Sequence, residues 1–259
     1  MQHMLNHIEK EELETFEDAI NEDGICISKE LLELSLFLSC YGVYVRGADF
    51  YYVPLDVQER YQQVMTPEFR KSLEEQFEFE NICDSAIYLY GVISLSKFTE
   101  IHNLYAQTAL PEKEIIKKLR KYVKTNDDIV ICGDYLMSEM LEESESYKYV
   151  LEFQKGIEHY LPEDKQEFMT YGREDCQQVD EDTEFFVNYL QGTLQMSYPE
   201  AMMLFYMMQE MIRMNQEEIE LFGILSDLGC SLERKKQFDK AEQMLRKISN
   251  RTRKWELNG

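Results

Sequence analysis

A chain of 259 residues with a formal net charge of −23 is long enough for one large or two ordinary domains with ample core. Its 44% hydrophobic and 12% aromatic content, with only 11 Gly and 5 Pro, excludes a disordered chain and points to a folded, mostly helical one. The longest apolar runs, such as 31–40, are short and broken by Glu33 and Ser35, so no stretch is suited to span a bilayer.

The charge is unevenly spread. Residues 1–80 carry 18 acids against 6 bases and 147–233 carry 18 against 5, whereas 81–146 is closer to balance at 11 against 7. Acidic surfaces repel nucleic acid, while local basic stripes can still steer it. Two such stripes stand out: Lys113, Lys117, Lys118, Arg120, Lys121 and Lys124, and the stretch 234–254 with nine bases and two acids.

Taken in chain order, residues 3–19 carry an acidic helical pattern with Met4, Leu5, Ile8, Leu13 and Phe16 apolar, and 21–24 break it. Ser28 is suited to cap a helix, with Glu30 and Glu33 near its positive end. The β-branched and aromatic runs 41–46 and 50–53, separated by Gly47-Ala48-Asp49, read as a hairpin. Pro54 stops the second strand and leads into a helix over 56–65. Thr66-Pro67 then supplies a cap and a proline at the first position of a helix reaching 79.

Residues 84–90 predict a helix that Gly91 ends, followed by a short extended piece at Val92-Ile93. Ser94 caps a helix over 95–106 with Leu95, Phe98, Ile101, His102 and Tyr105 on one face. Pro111 opens a third helix, 112–124, with Ile115, Ile116, Leu119, Tyr122 and Val123 inward and its bases outward. Residues 128–132, Gly133-Asp134 and 135–137 supply a hairpin. Over 84–138 this is the order of a winged helix-turn-helix. Residues 28–53 share part of that order with 111–137, so a second copy of the module stays open.

From 142 onward the pattern is helical, over 147–160, 163–171, 181–195, 199–214, 216–228 and 237–250, with Gly229 ending a helix. Short connections imply antiparallel neighbours. The polar stretch 143–146 marks a boundary. The expected class is mainly α with small β-hairpins, winged-helix-like module(s) being followed by an all-helical bundle. Three domains follow: 1–80, an N-terminal helical segment with a β-hairpin; 81–142, the winged-helix-like module; and 143–259, the C-terminal helical domain.

The third helix carries the sharpest candidate chemistry. In a winged helix it enters the major groove, and each cation meeting a phosphate steepens the salt dependence. Lys117, Lys118, Arg120, Lys121 and Lys124 suit such contacts, with Arg251, Arg253 and Lys254 as further candidates. Against this, the outward face is mostly Lys without side chains for base readout, and the wing tip is acidic at Asp134. The helix over 198–215 holds Met202, Met203, Met207, Met208, Met211 and Met214. Such a stripe either fills a core or lines an adaptable partner groove; Met203, Met207, Met211 and Met214 are the candidate partner surface.

Other constellations carry less. His3 and His7 with Glu11 have helical zinc spacing, but fraying at a chain end makes chance the better explanation. Asp180-Glu181-Asp182-x-Glu184 lacks the Gly and loop length of an EF-hand and suits a helix first turn. His159 lies near Glu163, Asp164 and Glu167 without a nucleophile at readable spacing. No Gly-rich phosphate loop, GxSxG elbow or HExxH is present. The expectation is therefore no catalytic, cofactor or metal residue. The six cysteines, Cys26, Cys40, Cys83, Cys132, Cys176 and Cys230, form no CxxC pair. With no secretory signal at the start, they suggest reduced thiols and a cytoplasmic protein.

Two stretches carry a resemblance. Tyr90-Gly91-Val92-Ile93-Ser94-Leu95-Ser96-Lys97-Phe98, followed by Glu100-Ile101-His102-Asn103-Leu104-Tyr105, resembles a "YGVIsldeF.eIyn.Y" segment of poorly characterised proteins of Gram-positive bacteria. The stretch Asn250-Arg251-Thr252-Arg253-Lys254-Trp255-Glu256-Leu257-Asn258-Gly259 resembles their "TRxWxLxG" box. Some of those proteins end in a Cys-rich zinc-binding SEC-C motif. No Cys follows Cys230 here, so the resemblance implies a bacterial host and no metal ligand.

The leading expectation is a cytoplasmic, non-enzymatic regulatory or adaptor protein that contacts another protein. The alternative is a nucleic-acid-binding regulator using the basic third helix. An enzyme or metalloprotein without a readable site is the second alternative, and a homo-oligomer stays open.

Overall fold

The computed structural model describes residues 1–21, 25–26, 36–45, 50–172, 181–214, 223, 225, 228 and 235–255. The chain divides into two compact units, Met1–Phe79 and Glu80–Gly259. Both are mainly helical, and each carries one small three-stranded antiparallel sheet among its described residues. The expected Ser28 cap with the first part of its helix, the Gly47–Asp49 turn, most of the 216–228 helix, and Gly229 lie outside the described residues.

The first unit opens with a one-turn helix, α1 (Gln2–Leu5), and α2 (Lys10–Asn21). The sequence pattern predicts a single helix here, but hydrogen bonding stops at Asn6 and His7 and resumes where Leu13 N–H donates to Glu9 O. The break seats Leu5 and Ile8 in the same core as Leu13 and Phe16. Strands β1 (Ile25–Cys26), β2 (Val43–Val45) and β3 (Phe50–Tyr52) follow, with α3 (Leu36–Tyr41) between β1 and β2. The sheet order is β1-β3-β2, with Val45 opposite Phe50 and Ile25 opposite Tyr52. The antiparallel pairing of β2 with β3 is as expected, but β2 is shorter than the expected 41–46 because Tyr41 closes α3; the two-residue β1 is too short to show a periodicity.

Helix α4 (Leu55–Val64) lays Tyr61 against Phe16, with ring centroids 5.1 Å apart. Phe37 also meets Phe16 edge-on, at 4.7 Å. The Glu17 carboxylate accepts hydrogen bonds from both Tyr61 and Arg70. Burial works against that charge, but the two donors hold its pKa below the usual carboxylate value.

Helix α5 (Pro67–Tyr90) runs for 24 residues. The sequence suggests two helices, ending at 79 and resuming at 84, yet neither Gly nor Pro intervenes between Pro67 and Gly91. The buried Phe79, Ile82 and Cys83 give the helix reason to continue through 80–83. Its start is held where Phe69 N–H donates to Thr66 Oγ1 at 3.2 Å.

In the second unit, β4 (Val92–Ser94) leads into α6 (Leu95–Tyr105), which Ser94 caps by accepting from Lys97 N–H at 3.2 Å. Then come α7 (Glu112–Tyr122), β5 (Ile129–Cys132) and β6 (Tyr135–Ser138). The sheet order is β4-β6-β5, with Val92 opposite Met137 and Cys132 opposite Tyr135. The hairpin turns through Gly133 at φ +59° and Asp134. A two-residue β-turn needs that positive φ, and Gly supplies it at least cost.

Short helices α8 (Glu139–Glu143), α9 (Tyr147–Gln154) and α10 (Lys165–Thr170) come next. Tyr105 of α6 stacks on Phe168 of α10 at 4.1 Å and donates its hydroxyl hydrogen to Pro162 O. Helices α11 (Glu181–Leu194), α12 (Tyr198–Arg213) and α13 (Lys235–Arg251) share a core built from Phe186, Leu190, Phe205, Met208, Ile212 and Leu245.

Candidate interaction surfaces

Helix α7 is amphipathic. Ile115 and Leu119 are fully buried, while Lys117, Lys118, Arg120 and Lys121 are exposed, as is Lys124 in the turn that follows. Glu112 and Glu114 are also exposed, at the helix N-terminus, where they suit the positive end of its dipole. Asn103 shapes the link from α6 to α7, its Oδ1 accepting from Leu110 N–H at 2.8 Å and its Nδ2 donating to Leu110 O at 2.9 Å.

The far end of α7 is pinned to α5. Tyr122 donates its hydroxyl hydrogen to Asp84 Oδ1 at 2.7 Å and accepts one from Asn126 Nδ2 at 2.7 Å. Burial pushes the Asp84 pKa up to about 7, with Glu80 and Asp128 adding repulsion and the Tyr122 hydrogen bond opposing both. Burial likewise pushes the neighbouring Cys83 thiol well up, so this cysteine is a core residue rather than a nucleophile.

The basic C-terminal residues are engaged within the protein. Arg251 reaches Asp182 Oδ2 at 3.9 Å and donates to Thr183 Oγ1 at 3.2 Å, and Lys247 pairs with Asp182 at 3.1 Å. Asp182 thus serves the first turn of α11 and a cross-helix pair. The Arg253 guanidinium lies over the Tyr160 ring at 3.7 Å. Lys254 is partly buried.

Gly91 and Trp255 meet in space. Trp255 is buried, and its ring lies so close to Gly91 that a Cβ there would come within 2.4 Å of Trp255 Cδ2. Its Nε1–H donates to Tyr88 O at 3.1 Å. Gln154 Nε2 donates to both Tyr90 O and Trp255 O, at 2.9 and 2.8 Å. Tyr90 donates to Tyr160 O at 2.7 Å, and the His159 ring stands edge-on to Tyr90 at 5.1 Å. Burial depresses the His159 pKa, with Lys97 adding to the effect. Sequence alone shows neither the Gly91–Trp255 contact nor the bridging role of Gln154, because the partners lie far apart along the chain.

The methionine stripe of α12 divides. Met202 and Met208 are core, Met211 and Met214 are partly buried, and Met203 and Met207 are 62% and 55% exposed. Arg213, at the end of the helix, is buried over the Tyr88 ring at 3.6 Å and pairs with Glu210 at 3.0 Å. A second exposed apolar pair lies on α9, where Tyr149 and Phe153 are 72% and 57% exposed. Sequence reasoning passed over it; the available signal was two large aromatics at i, i+4 among Lys and Glu.

His3 and His7 place their rings 5.3 Å apart, while Glu11 belongs to α2, past the break at Asn6. Among the described residues no group of three His, Cys, Asp or Glu is placed to hold a metal ion. None of their helices is long and apolar enough to cross a membrane. No protein-family model, curated protein or solved structure matches the chain.

Proposed function

We propose that residues 84–138 form a winged-helix-like module, and that the protein is a cytoplasmic, non-enzymatic regulator or adaptor acting through protein–protein contacts. Two features support the module. The order is helix, strand, helix, helix, strand, strand, and β4 pairs beside β6 of the β5–β6 hairpin. Fold leaves the ligand open, since such modules serve both nucleic acid and protein.

One observation carries the protein-contact reading. Helices α12 and α9 each hold a pair of large apolar side chains in solvent, Met203 with Met207 and Tyr149 with Phe153, four residues apart. Single exposed apolar residues are ordinary, but paired ones on ordered helices mark a face suited to a partner.

The second reading, nucleic-acid binding, rests on the exposed cations Lys117, Lys118, Arg120 and Lys121 of α7 and Lys124 in the turn after it. The net charge of −23 opposes it, because the wider field repels a polyanion. The deciding measurement is electrophoretic mobility of duplex and single-stranded probes at about 50 and about 200 mM salt. The protein-contact reading expects no shift at either. A shift at low salt that is abolished by reversing Lys117, Lys118, Arg120 and Lys121 to Glu would overturn it.

A further inference from the structure

We infer that the exposed face of α9 docks a basic amphipathic segment of a partner protein; this rests on the protein-contact reading above and names the partner's chemistry. Helix α9 is firmly held on its inner side. Val150 joins the core that contains Trp255, and Gln154 is fixed by its two hydrogen bonds to Tyr90 O and Trp255 O. Its outer side is therefore presented by an anchored element, not by a fraying end. On that side Tyr149 and Phe153 stand mostly in solvent. They are one helical turn apart, a spacing that an apolar stripe on a second helix can cover.

The surrounding charge selects the occupant. Between 142 and 158 there are five glutamates and two lysines. Both lysines are already within reach of a glutamate, Lys148 at 2.6 Å from Glu145 and Lys155 at 4.0 Å from Glu152. Glu142, Glu143 and Glu158 are exposed, and no described cation pairs with them. An aromatic pair on a helix that exposed glutamates flank in the sequence suits a segment with apolar residues at helical spacing flanked by Lys or Arg. It repels phosphate, whether of nucleic acid or of an acidic lipid surface. A second copy of this chain, at −23, is a poor occupant for the same reason.

The test uses the full chain and a fluorescein-labelled peptide of about 18 residues, Leu and Lys patterned at helical period. Fluorescence anisotropy compares it with a scrambled peptide of identical composition and with a Leu/Glu counterpart. The patterned basic peptide should bind most tightly, and the Leu/Glu peptide should not bind. The double substitution Tyr149→Ser/Phe153→Ser should weaken binding about tenfold or more, since exposed aromatic anchors dominate such interfaces. Glu142→Gln/Glu143→Gln/Glu158→Gln should weaken it less and flatten its salt dependence. All five side chains are exposed, so circular dichroism melts should stay unchanged; Tyr149→Lys alone provides a second variant.

Equal affinity for the scrambled peptide, or unchanged binding by the aromatic double variant, would reduce the effect to general attraction of bases and sink the inference. Light scattering that shows a dimer dissolved by the double variant would assign the face to a second copy and also overturn it. Either failure without a nucleic-acid gel shift leaves the broader protein-contact reading standing, whereas the gel shift defined above overturns that reading by itself.

Discussion

At the scale of single residues, Gly91 is the position where one methyl group matters most. Its φ of +67° is a conformation that L side chains adopt at a cost, and Trp255 fills the space where a Cβ would stand. Gly133 has nearly the same φ, +59°, but nothing lies within 4 Å of its would-be Cβ. The pair separates the two effects. Gly91→Ala should cost about 3 kcal/mol and Gly133→Ala about 1 kcal/mol in urea unfolding. Trp255 is the chain's one tryptophan, so Gly91→Ala should also shift its native emission toward the red. Equal costs for the two variants, with unchanged emission, would mean that the indole does not press on Gly91. The glycine itself is readable from sequence as a helix stop. Its second duty is not, because 163 residues separate it from Trp255.

At the scale of elements, the basic helix is held by a polar clamp at one end. Asp84 on α5, Tyr122 at the close of α7 and Asn126 beyond it form one hydrogen-bonded chain. The folded Asp84 carboxyl titrates near 7, against an ordinary value of 3.8. Its contribution to stability is therefore full below the unfolded pKa. It falls as pH rises through the window from 3.8 to about 7 and stays low above it, since the enclosed carboxylate then carries its charge beside Glu80 and Asp128. Asp84→Asn keeps an acceptor for Tyr122 and removes that charge. It should stabilise the protein by about 1–3 kcal/mol at pH 8 and by little near pH 4. Denaturant titrations at the two pH values check this, and a gain that grows toward acid would refute the assignment. The helix, its buried Ile115 and Leu119 and its outward bases are all legible from periodicity. The clamp is not, since Asp84 reads only as an acid on a neighbouring helix.

At the scale of the whole molecule, the excess of negative charge sets the salt response. Self-repulsion among 50 acids and 27 bases opposes the folded state. The exposed ion pairs work the other way, but pairs such as Lys148–Glu145 and Lys97–Glu100 join near neighbours on the surface, where water and salt screen them and they contribute little. Repulsion should win. Raising salt from about 20 to about 200 mM should lift the thermal midpoint by several degrees, about 3–6 °C. A midpoint that falls instead would show that the local pairs outweigh the net field.

Sequence by itself determined the helical class, the central succession of helices with its hairpin, the caps at Thr66 and Ser94, and the basic outer face of α7. Each follows from local chemistry: spacing at 3.6 residues, a hydroxyl before a helix, a glycine where φ turns positive. Tertiary structure alone decided what those elements meet. It ran α5 unbroken through 80–83 and paired β4 with β6. It seated Trp255 over Gly91, turned Arg251 and Arg253 to partners within the protein, and left Tyr149 and Phe153 in solvent while burying Met202 and Met208. The physical reason is the same throughout. Burial and hydrogen bonding join groups far apart in the chain, and no local pattern records which of several equally apolar or equally charged side chains will find a partner.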